Sequence, residues 1–138
     1  MISNVDDIKV FGDKRGDLIP IEFSSIGFDP KRVFVVNNVP NNGIRGGHTH
    51  YKTKQYLICI NGVVEVHLDD GKTKQVETLS KNQGIMIPEM VWDHQRFITS
   101  DSSIMVLCST KYDVSDYILD YNEFLKKIIN ENCIGNIG

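Results

Sequence analysis

From Lys31 to Cys108 the chain is a succession of short apolar runs, each closed by a Gly, Asn, Asp or Pro turn. Lys31 to Val36 is rich in β-branched residues and reads as a strand. The runs 54–60 and 63–68 flank Asn61-Gly62, a pair that predicts a hairpin. Residues 73–79 alternate polar and apolar side chains, and Ile85 to Ile87 is a short strand stopped by Pro88. Val91 to Phe97 and Ile104 to Cys108 complete the set. Upstream, Arg15-Gly16 is a turn and Leu18 to Phe23 a strand; Pro20 cannot donate to a ladder, so this strand belongs at an edge or in an exchanged arm. Many short strands with frequent turns specify a closed all-β sandwich. Runs 56–60 and 104–108 are apolar on both faces. One face lines the sandwich, and the other needs a helix or a second subunit to cover it, which predicts a homodimer.

Only the tail changes period. Tyr117, Tyr121, Phe124, Leu125 and Ile128 recur at helical spacing, and Asp113 with Asp116 forms an N-terminal capping signal. These features predict one α-helix over about 114–130, with a frayed end at Gly135 to Gly138. A length of 138 residues is one domain, 1–138, large enough to bury roughly two-thirds of its unfolded surface.

Net charge is −3 with both signs interspersed, and no basic stripe with interleaved aromatics supports nucleic-acid binding. No apolar run approaches the ~18 residues of a membrane span, and the acidic start Met1-Ile2-Ser3-Asn4-Val5-Asp6-Asp7 is unlike a signal peptide. The three cysteines form no CxxC pair, and Cys59 and Cys108 lie inside apolar runs. A soluble cytoplasmic protein is the expectation.

The chemistry concentrates at Arg45-Gly46-Gly47-His48-Thr49-His50, followed by Gln55 and Gly62. Two histidines two apart on a strand project from one face. Near the start of a strand entering a core, they can move protons or hold a metal. The spacing His48-x-His50-x4-Gln55-x6-Gly62 matches the first cupin motif, with Gln55 where Glu is usual. The second half-motif normally places histidine five residues after a proline; here that position is Asp93, and the histidine stands at His94. A metal site would offer two imidazoles, a neutral amide and Asp93, and an amide oxygen substitutes poorly for a carboxylate. Proton chemistry fits better, because imidazole titrates near neutrality and a guanidinium such as Arg45 stabilises a developing enediolate oxygen. No metal is expected. Buried structural histidines bonded to backbone remain the plain alternative.

In order along the chain, Arg15-Gly16 followed by Glu22, Lys31-Arg32-Val33, Arg45-Gly46-x-His48-x-His50, Gln55, Asn61-Gly62, Val91-Trp92 and Tyr112-Asp113-x-x-Asp116-Tyr117-Ile118 resemble the dTDP-sugar 3,4-ketoisomerases of the RmlC-like cupin class. The resemblance runs from about Asp13 to Phe124. It implies a cupin-type jelly roll (double-stranded β-helix), a homodimer exchanging the N-terminal strands of about 1–23, and no cofactor. The implied substrate is dTDP-4-keto-6-deoxy-D-glucose, isomerised ahead of an aminotransferase in deoxyaminosugar biosynthesis for O-antigen, S-layer or capsule glycans. It also implies that His48 is the base and His50 its partner, that Arg15 meets the pyrophosphate, and that Glu22 accepts the thymine N3–H. Arg32, Gln55, Trp92, Asp93 and His94 complete the implied binding set.

Two departures stand out. Tyrosines that relatives carry after Lys-Arg-Val are replaced by Phe34 and Val35, and Asp93 then His94 follow Val91-Trp92 where histidine is expected. Either His94 takes over by a local shift, or Asp93 orients an imidazole. Trp92, Tyr117 and Tyr121 read more readily as packing residues than as site residues, and His67 points outward if Val66 and Leu68 face the core. A metal-dependent cupin enzyme and a non-catalytic nucleotide-sugar binding module are the rival functions.

Overall fold

A computed structural model of the chain describes residues 1–137, with side chains as far as Glu131. An N-terminal portion carries β1 (Val5–Asp7), β2 (Phe11–Asp13) and β3 (Gly16–Leu18). The eight strands of the body follow as β4 (Arg32–Val36), β5 (Gly43–His50), β6 (Gln55–Asn61), β7 (Val63–Asp69), β8 (Lys74–Ser80), β9 (Gln83–Ile87), β10 (Trp92–Phe97) and β11 (Ser103–Cys108). A short β12 (Tyr117–Ile118) precedes α1 (Tyr121–Ile137).

The body strands pair from the middle outward, β7 with β8, β6 with β9, β5 with β10 and β4 with β11, all antiparallel. This long hairpin rolls into two five-stranded sheets, ordered β1-β9-β6-β11-β4 and β12-β5-β10-β7-β8. That is the jelly roll expected from the sequence, in which two facing sheets bury one side of each strand. Alternation supplies the core: Leu57 and Cys59, Val64, Val66 and Leu68, Ile85 and Ile87, and Ile104 and Val106 meet between the sheets.

Three local expectations are corrected. Asn61-Gly62 closes no hairpin, because β6 and β7 belong to different sheets. Gly62, at φ 71, turns the corner between them, and a Cβ there would lie 2.6 Å from the Ser102 Cα. The strand expected over Leu18 to Phe23 ends at Leu18; past Pro20 the chain forms a 3-10 turn at Phe23–Ser25. The helix expected over about 114–130 starts seven residues later, at Tyr121. Asp113 caps only a 3-10 turn, accepting from the Ser115 amide at 3.0 Å, and Asp120 takes the capping position of α1, accepting from the Asn122 amide at 2.8 Å. Between the two, Tyr117 and Ile118 pair with His50 and Thr49, so tertiary pairing wins over local helical period. The chain end, where fraying is expected from Gly135, is helical to Ile137, and Gly138 lies outside the described residues.

The outer face of the first sheet, carrying Tyr56, Ile58 and Leu107, is covered by Ile21, Ile26 and Phe28 from the loop before β4. Helix α1 covers the other sheet, where Phe124 packs on Trp92 with ring centroids 5.8 Å apart. No helix among the described residues is long and apolar enough to cross a membrane.

Candidate active site

The site forms where β5 and β10 run side by side at one end of the roll. Gly46 and Gly47 both have positive φ, 89 and 81, and the β5–β10 register slips by one residue there. Asp93 faces His48, whereas His94 faces Gly46 and Gln95 faces Arg45. This bulge re-phases the alternation, so Arg45 and His48, an odd number of residues apart, share the inward face. Only glycine tolerates the position, since a Cβ on Gly46 would lie 3.0 Å from the His94 Cα.

The inward residues surround a cavity of about 210 Å3. Its floor is apolar, from Phe34, Leu57, Ile104 and Val106, and its polar wall is His48, Gln55, Asp93, Gln95 and Tyr117, with Arg45 at the rim. Burial holds the His48 imidazole below its usual pKa, which keeps it neutral and able to accept a proton. His50 sits behind His48, its ring centroid 5.2 Å away in an edge-on arrangement and 4.3 Å from that of Tyr117. It is 3 % exposed, and its Nε2 has no hydrogen-bond partner among the described residues. Burial first, then the neighbouring His48, lowers its pKa to about 4, although Asp116 opposes the shift. His50 therefore supports His48 as a neutral ring.

Asp93 is 2 % exposed. Its Oδ2 accepts from the Gln95 amide at 2.5 Å, and its Oδ1 has no partner among the described residues. Burial raises its pKa to about 7 against the pull of the Gln95 hydrogen bond. Gln55 donates to the Cys108 sulfur at 3.6 Å. Arg32 enters from β4, its guanidinium carbon 5.5 Å from the centre of the Tyr112 ring.

Asp116 anchors the turn that follows His50. Its carboxylate accepts from the Lys52 amide at 2.9 Å, the Thr53 amide at 3.2 Å and the Thr53 hydroxyl, while its carbonyl accepts from the Tyr51 amide at 3.0 Å. Tyr117, read from the sequence as a packing residue, thus stands against both histidines. Its only signal in the chain is its place after Asp116 in the Tyr112 to Ile118 segment.

Of the residues singled out from the sequence, Arg45, His48, Gln55 and Asp93 meet at the cavity, with His50 and Arg32 behind it. Trp92 and His94 do not. On β10 the inward residues are Asp93, Gln95 and Phe97, so a histidine displaced by one position turns to the opposite face. There His94 stacks on His67 at 4.2 Å, and Trp92 packs under α1. Arg15 and Glu22 also lie outside the cavity. Arg15, with its side chain 90 % exposed, pairs with Asp13 at 2.6 Å on a β2–β3 hairpin bonded to neither large sheet. Glu22 lines a separate recess with Asp6, Lys9 and Tyr56.

Known proteins resemble this chain in both sequence and fold. It is 39 % identical over 134 residues, covering 96 % of each chain, to the TDP-4-oxo-6-deoxy-alpha-D-glucose-3,4-oxoisomerase of Aneurinibacillus thermoaerophilus. It superposes with a TM-score of 0.87 on a sugar 3,4-ketoisomerase from Thermoanaerobacterium thermosaccharolyticum in complex with TDP, at 32 % identity over 94 % of this chain and 96 % of that one. A histidine-to-asparagine mutant of that enzyme, in complex with TDP-4-keto-6-deoxyglucose, gives the same TM-score of 0.87 at 32 % identity, over 94 % of this chain and 95 % of that one. The RmlC epimerase of Mycobacterium tuberculosis, 17 % identical over 84 % of this chain and 67 % of its own, shares the fold with a TM-score of 0.73. A family model described as WxcM-like, C-terminal (FdtA) matches residues 1–129, and the chain belongs to that family.

Proposed function

We propose that the protein is a sugar 3,4-ketoisomerase that converts dTDP-4-keto-6-deoxy-D-glucose into a dTDP-3-keto-6-deoxyhexose. The observation that carries this reading is His48, an imidazole kept neutral by burial on the wall of a cavity with an apolar floor. At about 210 Å3 the cavity is smaller than the ~300–1,000 Å3 of sites that enclose drug-sized ligands, so it suits the sugar ring and leaves the nucleotide outside. His48 takes the C3 proton and the resulting imidazolium returns a proton at C4. Arg45 at the rim offsets the charge of the enediolate oxygen. His50 and Tyr117 fix the orientation of His48, and Gln55 offers its amide to a sugar hydroxyl. No step calls for a metal or cofactor. The ketone left at C3 is the group an amine donor requires, which suits deoxyaminosugar biosynthesis in the cytoplasm, where nucleotide sugars are made.

The nucleotide end is assigned to a second copy of the chain. The β2–β3 hairpin leaves Phe11 and Leu18 exposed, and Val33 and Val35 on β4 are 54 % and 53 % exposed. Exchange of arms between two copies would cover these surfaces and carry Arg15 to the pyrophosphate and Glu22 to the thymine of the partner's substrate. A guanidinium forks onto phosphate oxygens as Arg15 now does onto Asp13.

The test is incubation with the 4-keto sugar in deuterated water, followed by NMR. Formation of the 3-keto sugar with deuterium entering at C3 or C4 is expected, and His48→Asn should cut turnover about 10²- to 10⁴-fold with the fold intact. Binding without conversion would make the protein a nucleotide-sugar binding module. Turnover that tracks metal content in elemental analysis would make it a metal-dependent cupin enzyme.

A further inference from the structure

An isomerisation of this kind moves two protons, one between carbons and one between oxygens, and His48 accounts for only the first. The C3–H proton must reach C4, and the O3–H proton must be lost while O4 gains one. The second transfer needs a group that can donate to O4 and accept from O3 in turn. We propose that Asp93, in its protonated form, is that group, a catalytic acid–base that carries protons between the two substrate oxygens; this rests on the ketoisomerase reading above.

Three features of the cavity point to Asp93. Its carboxyl lies on the cavity wall, on the strand position that faces His48 across the β5–β10 pair. One oxygen is held by the Gln95 amide at 2.5 Å, and the other has no partner among the described residues. A buried polar atom left unpaired carries a desolvation cost, and a substrate hydroxyl or carbonyl oxygen in the cavity would relieve it. The surroundings favour the neutral acid. From β6 the uncharged Gln55 and Leu57 reach the cavity, and the inward residues of β7 are Val64, Val66 and Leu68. The titratable or charged groups facing the cavity are Arg45 and His48 on β5 and Tyr117 on β12, and Arg45 sits at the exposed rim. Burial accordingly raises the Asp93 pKa to about 7.

The steps balance. His48 takes the C3 proton, the C–H electron pair forms the C3=C4 double bond, and the carbonyl oxygen at C4 takes the Asp93 proton to give an enediol. The Asp93 carboxylate then accepts the O3–H proton as the C3=O bond forms, and C4 takes the proton from the His48 imidazolium. Both side chains end as they began.

The experiment measures two rates on the full-length protein: exchange of substrate H3 with deuterated water, and formation of the 3-keto sugar. Asp93→Asn keeps the shape and the contact with Gln95 but cannot pass a proton. It should slow isomerisation by about 10²-fold or more while slowing H3 exchange far less, because His48 still forms an enediolate that returns to C3. A parallel fall in both rates would assign Asp93 a merely structural role, and unchanged rates would remove it from the reaction; either overturns the proposal. Wild-type turnover gives a reading independent of the variant's folding: it should fall as pH rises and Asp93 ionises, and the carboxyl resonance of carbon-13-labelled Asp93 should titrate with the same midpoint. A flat alkaline limb, or a different midpoint, overturns the proposal. Wild-type protein that neither exchanges H3 nor forms product would instead defeat the ketoisomerase reading, and this proposal with it.

Discussion

Asp93 and His94 differ by a single position and have opposite surroundings. Asp93 is enclosed between the sheets, and His94 lies on the outer surface against His67. Enclosure makes Asp93 a liability as well as a tool. Its pKa rises from 3.8 to about 7 through burial. Between these values the folded protein holds a proton that the unfolded chain has released. The contribution of Asp93 to stability is therefore complete below about pH 3.8 and is lost as pH rises through about 7. His50 acts in the other direction: its pKa of about 4 costs stability as pH falls below its unperturbed 6.5. Because both proteins share His50, comparing wild type with Asp93→Asn isolates the carboxyl. Thermal unfolding should show the variant gaining on wild type between pH 4 and 7, by on the order of a few kcal/mol in all, with no further gain above pH 7. Parallel stability curves for the two proteins would show that Asp93 ionises without penalty.

Among the elements, the short β12 does more than its two residues suggest. It closes the edge of the second sheet on β5 and places Tyr117 against the histidine rings. Asp116, just before it, holds the turn after His50 through two amides and a hydroxyl. Hydrogen bonds to a charged acceptor contribute about 1.5–3 kcal/mol, and loss of the acceptor leaves the Thr53 amide unpaired where it is buried. Asp116→Ala should lower stability by roughly 2–4 kcal/mol in chemical denaturation. It should also lower kcat, because Tyr117 and His50 lose their anchor. Asp116→Asn, which keeps an acceptor oxygen, should lose less of both. Equal losses in the two variants would mean that the charge, rather than the acceptor geometry, holds the turn.

In the molecule as assembled, the rolled hairpin puts β4, β5, β10 and β11 at one end of the sandwich, where the cavity opens. The β2–β3 hairpin stands apart from that body with Phe11 and Leu18 uncovered. Apolar side chains on an isolated two-stranded hairpin call for a covering surface, since such a hairpin has little stability alone. Sedimentation at micromolar concentration should give twice the chain mass of 15.7 kDa. Phe11→Asp with Leu18→Asp should shift the protein toward monomer and weaken nucleotide-sugar binding together. A wild-type monomer under these conditions would remove the exchanged-arm arrangement, and with it the roles given to Arg15 and Glu22.

The order of strands along the chain, the inward alternation of apolar residues and the His48–His50 pair are local properties, written in periods of two and in turn residues. Those could be read without coordinates, as could the closed all-β sandwich to which they lead and the prominence of Arg45, His48, Gln55 and Asp93, whereas the jelly roll was implied by the family resemblance. What depends on contacts between distant segments could not. Asn61-Gly62 has the chemistry of a hairpin turn, but the competition between β7 and β8, β6 and β9 for partners makes it a corner. The start of the expected helix became a 3-10 turn and a strand because β5 offered a free edge to Tyr117 and Ile118. Trp92 and His94 left the site because β10 pairs with β7 in a register that sets Asp93, Gln95 and Phe97 beside the inward Leu68, Val66 and Val64 and turns the alternate positions outward. Each of these outcomes is decided by which partner a segment meets, and period and turn propensity carry no term for that.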